Sequence, residues 1–171
     1  MKTLLFLLLL IPAIAFSQTS YVFIKLFDAK GNQIIGDSNT RGYERAIRAF
    51  TTASSGKNNT QFNFTMPVTA AGANLKSAMA NGEQLLNAMV YVLTPNPSTG
   101  ALQYSYIITM ENIRVVSCAE SMGCNNVMST AVSLLATRIG WTYYTADRSG
   151  NMVVSQKYGF DAETGMTWNK F

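Results

Sequence analysis

Apolar and polar positions alternate with a period of two along most of this chain, which is the signature of strands with one buried face. Residues 21–27 (YVFIKLF) form a short β-rich run, and Asp28, Lys30, Gly31 and Asn32 close it as a turn. QIIGD follows at 33–37, then a polar connection to YERAIRAFTTA at 43–53; residues 54–59 (SSGKNN) read as a loop. In 61–68 the alternation is clean: Phe62, Phe64 and Met66 face one way, Gln61, Asn63 and Thr65 the other. Residues 70–82 (AAGANLKSAMANG) are the one good helix candidate, with Leu75, Ala78 and Met79 at i, i+3 and i+4 and Asn81-Gly82 as a stop. Gly72 weakens its first turn.

Strands resume at 88–94, and 95–100 (PNPSTG) is a hairpin loop. The long run 102–118 presents Tyr104, Tyr106, Ile108 and Met110 on one parity, then Ile113 and Val115 on the other. A bulge or bend near Glu111-Asn112 is therefore expected. The same slip recurs downstream: Val132, Leu134 and Ala136 are even, Ile139, Trp141 and Tyr143 odd. Two long strands that switch faces midway suit the corners of a closed barrel or orthogonal sandwich. Residues 152–156 and 158–160 give a last strand before a short polar tail carrying Trp168. The predicted fold class is mainly β: a small antiparallel β-barrel or sandwich of seven or eight strands with one flanking α-helix.

The first residues break this pattern. Lys2 precedes an apolar stretch from Leu4 to Ile14, and Ala15-Phe16-Ser17 sets small residues where a signal peptidase reads. Cleavage is expected between Ser17 and Gln18. The stretch is far short of the roughly 20 residues of a membrane span. The expected organisation is a signal peptide at 1–17 and one domain at 18–171, and the mature chain carries no membrane span. Removing 17 of 171 residues leaves 154, with 12 basic against 9 acidic side chains, a net +3. Among the scattered basic residues only Arg41, Arg45 and Arg48 cluster, and they read as a solvated strand or loop edge. No nucleic-acid motif accompanies them, so no nucleic-acid partner is expected.

Cysteine usage agrees with export: an even pair, Cys118 and Cys124, suggests a disulfide in an oxidising compartment. Two free thiols are the alternative. A metal site there is disfavoured, because the chain has no histidine and zinc wants four ligands. The missing histidine also excludes Ser-His and Cys-His nucleophilic arrangements within one chain. No phosphate-cradling GxxxxGK[ST] or GxGxxG occurs. The nearest carboxylate pair, Asp161 and Glu163, sits in a turn-like DAETG. Tyr104, Tyr106, Trp141, Tyr143 and Tyr144 read as sheet core or subunit interface before they read as a carbohydrate platform. The chain reads as a binding or structural protein, not an enzyme, and without a cofactor.

The order of segments resembles the haemolysin-coregulated protein (Hcp) family, the tube subunit of type VI secretion systems. The segment 21–38 (YVFIKLFDAKGNQIIGDS) resembles the family's opening strand, turn and I-x-G-[DE]-S. Gly42-Tyr43-Glu44 stands where the family commonly has Gly-His-Glu. Residues 64–92 are similar to its strand, helix and strand. Met110-Glu111-Asn112-Ile113 matches the hydrophobic-Glu-[DN]-hydrophobic centre of its long strand, STAVSLLATRIGWTYYTAD (129–147) its S-V-S-L strand, and Tyr158-Gly159-Phe160-Asp161 its close. The resemblance implies a ring- or tube-forming structural subunit. Its self-association would give six-membered rings that stack into a hollow tube carrying protein effectors in the lumen, moved by a contractile sheath. By the same analogy a protruding loop lies in 43–59, with Tyr43, Glu44, Arg45, Ile47 and Arg48 as candidate subunit-interface residues. The leader separates this chain from the family pattern, in which the tube assembles in the cytoplasm. It implies an exported bacterial protein, periplasmic or secreted. The alternative is an exported Hcp-like binding module outside any contractile apparatus.

Overall fold

The computed structural model describes residues 20–54, 60–122 and 127–171. The proposed leader and the Ser17/Gln18 cleavage site lie outside these residues, as do Cys124 and most of the loop 54–59. Strands β1 (Tyr21–Phe27), β2 (Ile47–Ala49), β3 (Thr51–Ser54) and β4 (Gln61–Pro67) precede helix α1 (Ala70–Ala80). They are followed by β5 (Gln84–Pro95), β6 (Leu102–Met122), β7 (Met128–Ala146), β8 (Met152–Asp161) and β9 (Met166–Thr167). All strand pairings are antiparallel, in the order β2-β1-β5-β6-β7-β4-β3, with β8 also on β7 and β9 on β8.

The two ends of that order are halves of one segment. Residues 47–49 pair with β1 and residues 51–54 with β4, and the Phe50 amide at the kink donates to the Thr65 carbonyl at 2.8 Å. The sheet thus folds back on itself as a barrel-like sandwich whose junction is a kink, not an unbroken ladder. The main core fills it, with Phe62, Leu26, Met66, Leu85, Ile108 and Ile113 nearly without exposure.

Both expected face switches are present. Met110 and Ile113 are both buried, and between them Asn112 adopts φ 52°, a left-handed conformation that asparagine tolerates better than most residues. The Asn112 carbonyl accepts from the Thr137 hydroxyl at 3.3 Å, which ties the two corners together. On β7 the switch falls where its partner changes: residues 129–135 pair with β4 and residues 138–146 with β8. A further irregularity between Val92 and Leu93 was not visible as a parity change on β6, and it sends Tyr104 and Tyr106 to different clusters.

Helix α1 lacks a side-chain N-cap bond and an acidic first turn, so tertiary packing holds it. Ala71, Gly72, Leu75 and Ala78 are its buried residues, whereas Met79 is 37% exposed. The docking stripe is therefore shifted toward the N-terminus. A Cβ on Gly72 would sit 3.4 Å from Met66 Cε and from Thr130 Oγ1, so the glycine allows close approach. Lys76 Nζ meets Glu120 Oε1 at 2.5 Å and links the helix to β6.

The tail departs from the expected polar ending. Trp168 is 7% exposed, its amide donates to the Gly159 carbonyl at 2.9 Å, and its ring packs on Phe171 at 4.8 Å. Gly140 and Gly159 face each other across β7 and β8 and leave room for it. A Cβ at Gly159 would fall 2.2 Å from the Trp168 carbonyl oxygen, and one at Gly140 would fall 2.6 Å from the Phe171 ring.

Candidate functional site

Three features of the surface are candidates for contact with a partner: an outer aromatic ladder, the segment 36–48 that leans on it, and the edge of β8. The ladder starts at Phe23, which stacks on Tyr43 at 4.7 Å and 13°. Tyr43 meets Tyr91 edge-on at 5.2 Å, Tyr91 meets Tyr104 at 6.2 Å, and Tyr104 meets Tyr144 at 5.3 Å. With Ala46 and Leu93 these rings form a second apolar cluster on the outside of the sheet. Lys25 Nζ lies 5.9 Å from the Tyr43 ring centre and 5.8 Å from that of Tyr91, and donates to the Gly42 carbonyl at 3.3 Å. Burial first, and then the Tyr104 hydroxyl, push the Tyr43 phenol far above its ordinary range. Burial likewise raises Tyr91.

Segment 36–48 is held by its own backbone bonds: Gly36 to Arg45, Ser38 to Ala46, Arg45 to Ser38, and Ala46 to Tyr43. A Cβ on Gly36 would lie 2.3 Å from the Ala46 carbonyl oxygen, so only glycine fits that crossing. Of the five expected contact residues, Tyr43 is half-buried in the ladder and Glu44 Oε2 accepts from the Gly42 amide at 3.0 Å. Arg45, at φ 61°, and Arg48 are exposed, and the Arg48 amide donates to Asp37 Oδ1 at 3.2 Å. Ile47 is 1% exposed in the main core, so its side chain faces the interior of its own subunit. Within 43–54 the chain is largely strand β2 and β3, not a free loop.

The aromatics that suggested a platform split between faces. Tyr104 and Tyr144 belong to the outer ladder, whereas Trp141 lies in the core and Tyr106 packs against it. Trp141 stacks on Tyr158 at 5.8 Å, and Tyr106 meets Tyr143 at 5.7 Å. They do not make one flat sugar-binding surface.

Asp161 and Glu163 do not meet as an acid–base pair. Asp161 Oδ2 accepts from Arg138 Nε at 2.8 Å, while its Oδ1 accepts from the amides of Glu163 and Thr164, so it pins the β8–β9 turn. Arg138 also reaches Glu111 Oε2 at 3.2 Å. The Arg138 hydrogen bond holds the Asp161 carboxyl below its ordinary value. Its stabilising contribution is complete above the unfolded pKa of about 3.9 and is lost as pH falls through the lower folded value. The Trp168 amide should therefore stay protected from exchange down to about pH 4 and lose protection only below it. Asp161→Asn should lose that protection already at neutral pH; hydrogen exchange followed by NMR reads both.

Cys118 is a free thiol on β6, buried, with Sγ 3.7 Å from the Gly72 carbonyl. Its expected partner, Cys124, lies outside the described residues. Beyond Cys118 the strand stays paired to Met122↔Met128, four residues or about 13 Å further on. Burial raises the Cys118 thiol's pKa. Iodoacetamide should label it about tenfold or more slowly in the native protein than in urea, read by mass spectrometry.

The edge of β8 was missed from the sequence. Its residues pair with β7 on one side; on the other, among the described residues, Phe160 and Asp161 pair with β9 and the Gly159 carbonyl accepts from the Trp168 amide. Val153, Val154 and Tyr158 are 42%, 51% and 41% exposed. The adjacent Val153 and Val154 signal a strand in the sequence, but not which side of it is free.

Comparison with known proteins settles the family. The family described as "Type VI secretion system effector, Hcp" matches residues 23–143, most of the chain. The chain belongs to the Hcp family. Solved Hcp structures share its fold. Hcp1 from Salmonella typhimurium superposes with a TM-score of 0.70 at 16% identity, covering 87% of this chain and 99% of that one. Hcp1 from the E. coli EAEC 042 pathovar gives 0.68 at 19%, covering 83% and 98%. The secreted protein Hcp3 from Pseudomonas aeruginosa gives 0.64 at 15%, covering 84% and 98%. No curated protein matches in sequence. This Hcp-family chain is a type VI secretion-related protein, and among its described residues no helix is long and apolar enough to cross a membrane.

Proposed function

We propose that this Hcp-family chain is a structural subunit that self-associates into rings, six-membered by family analogy, and that the rings stack into a tube. Family membership over residues 23–143 carries this reading. The open edge of β8 supports it, because a soluble monomer rarely leaves such an edge unguarded. Work done by such a subunit is geometric, without a catalytic centre or cofactor, and protein effectors are the cargo of its lumen. The mature chain at high concentration should elute well above monomer size and show rings by negative-stain electron microscopy. Monomers alone, without rings, would overturn the reading.

The apolar leader favours a second reading, an exported Hcp-like module that binds a partner outside any contractile apparatus. N-terminal mass analysis of protein from cells separates the two routes. A chain starting at Gln18 supports export, and an intact Met1 in cytoplasmic material removes it.

A further inference from the structure

The monomer leaves β8 half covered. The tail guards its C-terminal end, where Phe160 pairs with Thr167, Asp161 with Met166, and the Trp168 amide bonds Gly159. At Gly159 the tail leaves the edge and lies over the facing glycines. Residues 152–158 remain without a strand on that side among the described residues. Natural edges are blunted by proline, inward charge or short length. This one has no proline, and its one charged residue, Lys157, turns its ammonium to the Phe171 carbonyl at 2.6 Å. The exposed side chains along it include Val153, Val154 and Tyr158.

A second one-sided strand lies elsewhere in the same chain. Thr51–Ser54 pairs only with β4 among the described residues, and its sequence TTAS has no charge and no proline. Phe50 beside it is 50% exposed, a large apolar ring half open to solvent.

Resting on the ring reading above, we propose that residues 152–158 of one copy accept β3 of a second copy as an added strand. The added ladder supplies main-chain hydrogen bonds, and the exposed valines of β8 supply the apolar contact. Four residues fit within the seven that are open. Because the two edges differ, the contact is heterologous: any open chain of copies keeps one free edge of each kind at its two ends, and joining those ends closes a ring. Pairing of β8 with itself would instead be isologous and stop at a dimer.

Engineered cross-links test the assignment in a Cys124→Ser background, where buried Cys118 serves as the no-reaction control. Ala53→Cys combined with Val153→Cys or with Val154→Cys should give a ladder of covalent oligomers on mild oxidation, read on a non-reducing gel. Val154→Asp should move the protein from ring to monomer in sedimentation. Covalent dimers from Val154→Cys alone would overturn the head-to-tail pairing. Rings that persist in Val154→Asp, with neither pair cross-linking, would overturn the edge assignment while leaving the ring reading intact. Absence of rings in the unaltered chain would sink both.

Discussion

Phe23→Ala should lower stability by about 3–5 kcal/mol, the usual cost of emptying a buried phenylalanine site. That is a large share of the roughly 5–15 kcal/mol that holds a domain folded. In a chain of this size it amounts to a fall of roughly 6–20 °C in Tm, measured by circular dichroism. The size of the effect follows from where Phe23 points. It lies on the outer side of β1, yet it is only 1% exposed, because Tyr43, Ala46 and Leu93 enclose it. Removing the ring takes away the surface on which Tyr43 stacks, one of the contacts that hold 36–48 on the sheet beside the pairing of Ile47 and Arg48 with β1. Trypsin should therefore cut faster after the exposed Arg41, Arg45 and Arg48 than in the unaltered protein. Tyr43→Phe keeps the stacked ring and loses only the hydroxyl, so it should cost about 0.5–1.5 kcal/mol and leave the trypsin pattern unchanged. Equal losses in the two variants would show that ring stacking does not fasten the segment.

Gly159→Val should lift the tail from β8 at a cost of about 1–3 kcal/mol, the range for forcing extra atoms into a packed site. The obstacle is backbone: the Trp168 carbonyl oxygen would lie 2.2 Å from the new Cβ and cannot rotate away. Trp168 should become accessible to acrylamide quenching, and its emission should shift to the red. Gly140→Ala meets the Phe171 ring instead, a side chain with freedom to swing. It should cost less and leave Trp168 shielded. If Gly159→Val leaves the emission unchanged, the tail is not seated on these glycines in solution.

The contrast between these sites marks what local pattern can reveal. Alternation in 61–67 and the helical spacing of Leu75 and Ala78 report burial directly, because each residue's face depends only on its neighbours in sequence. Both corners were legible for the same reason: a face switch at Asn112 or after Ala136 shows as a change of parity. Partners distant in the chain left no such trace. Gly140 and Gly159 are nineteen positions apart, and only their pairing across β7 and β8 creates the slot for Trp168. Tyr104 and Tyr106 share a parity, and only the irregularity opposite, at Val92/Leu93, separates them. Ile47 looked like a loop residue among arginines, and only its pairing with Ile24 shows it to be core. The family motifs located the segments of the candidate site in the right order, but not which of their side chains face outward.

The pairing of β6 with β7 runs from Tyr106↔Tyr143 to Met122↔Met128, roughly 50 Å of antiparallel ladder in one hairpin. Seen as a mechanical part, it is the spine of the subunit. A push or pull along its length loads many cross-strand bonds together in shear, whereas a force across it would open them one by one. The corner at Asn112 bends this spine without a change of register, since Glu111↔Arg138 and Ile113↔Ala136 keep step on either side. A subunit built in this way is stiff along one axis and compliant across it, so the direction of an applied force decides whether it holds or unzips.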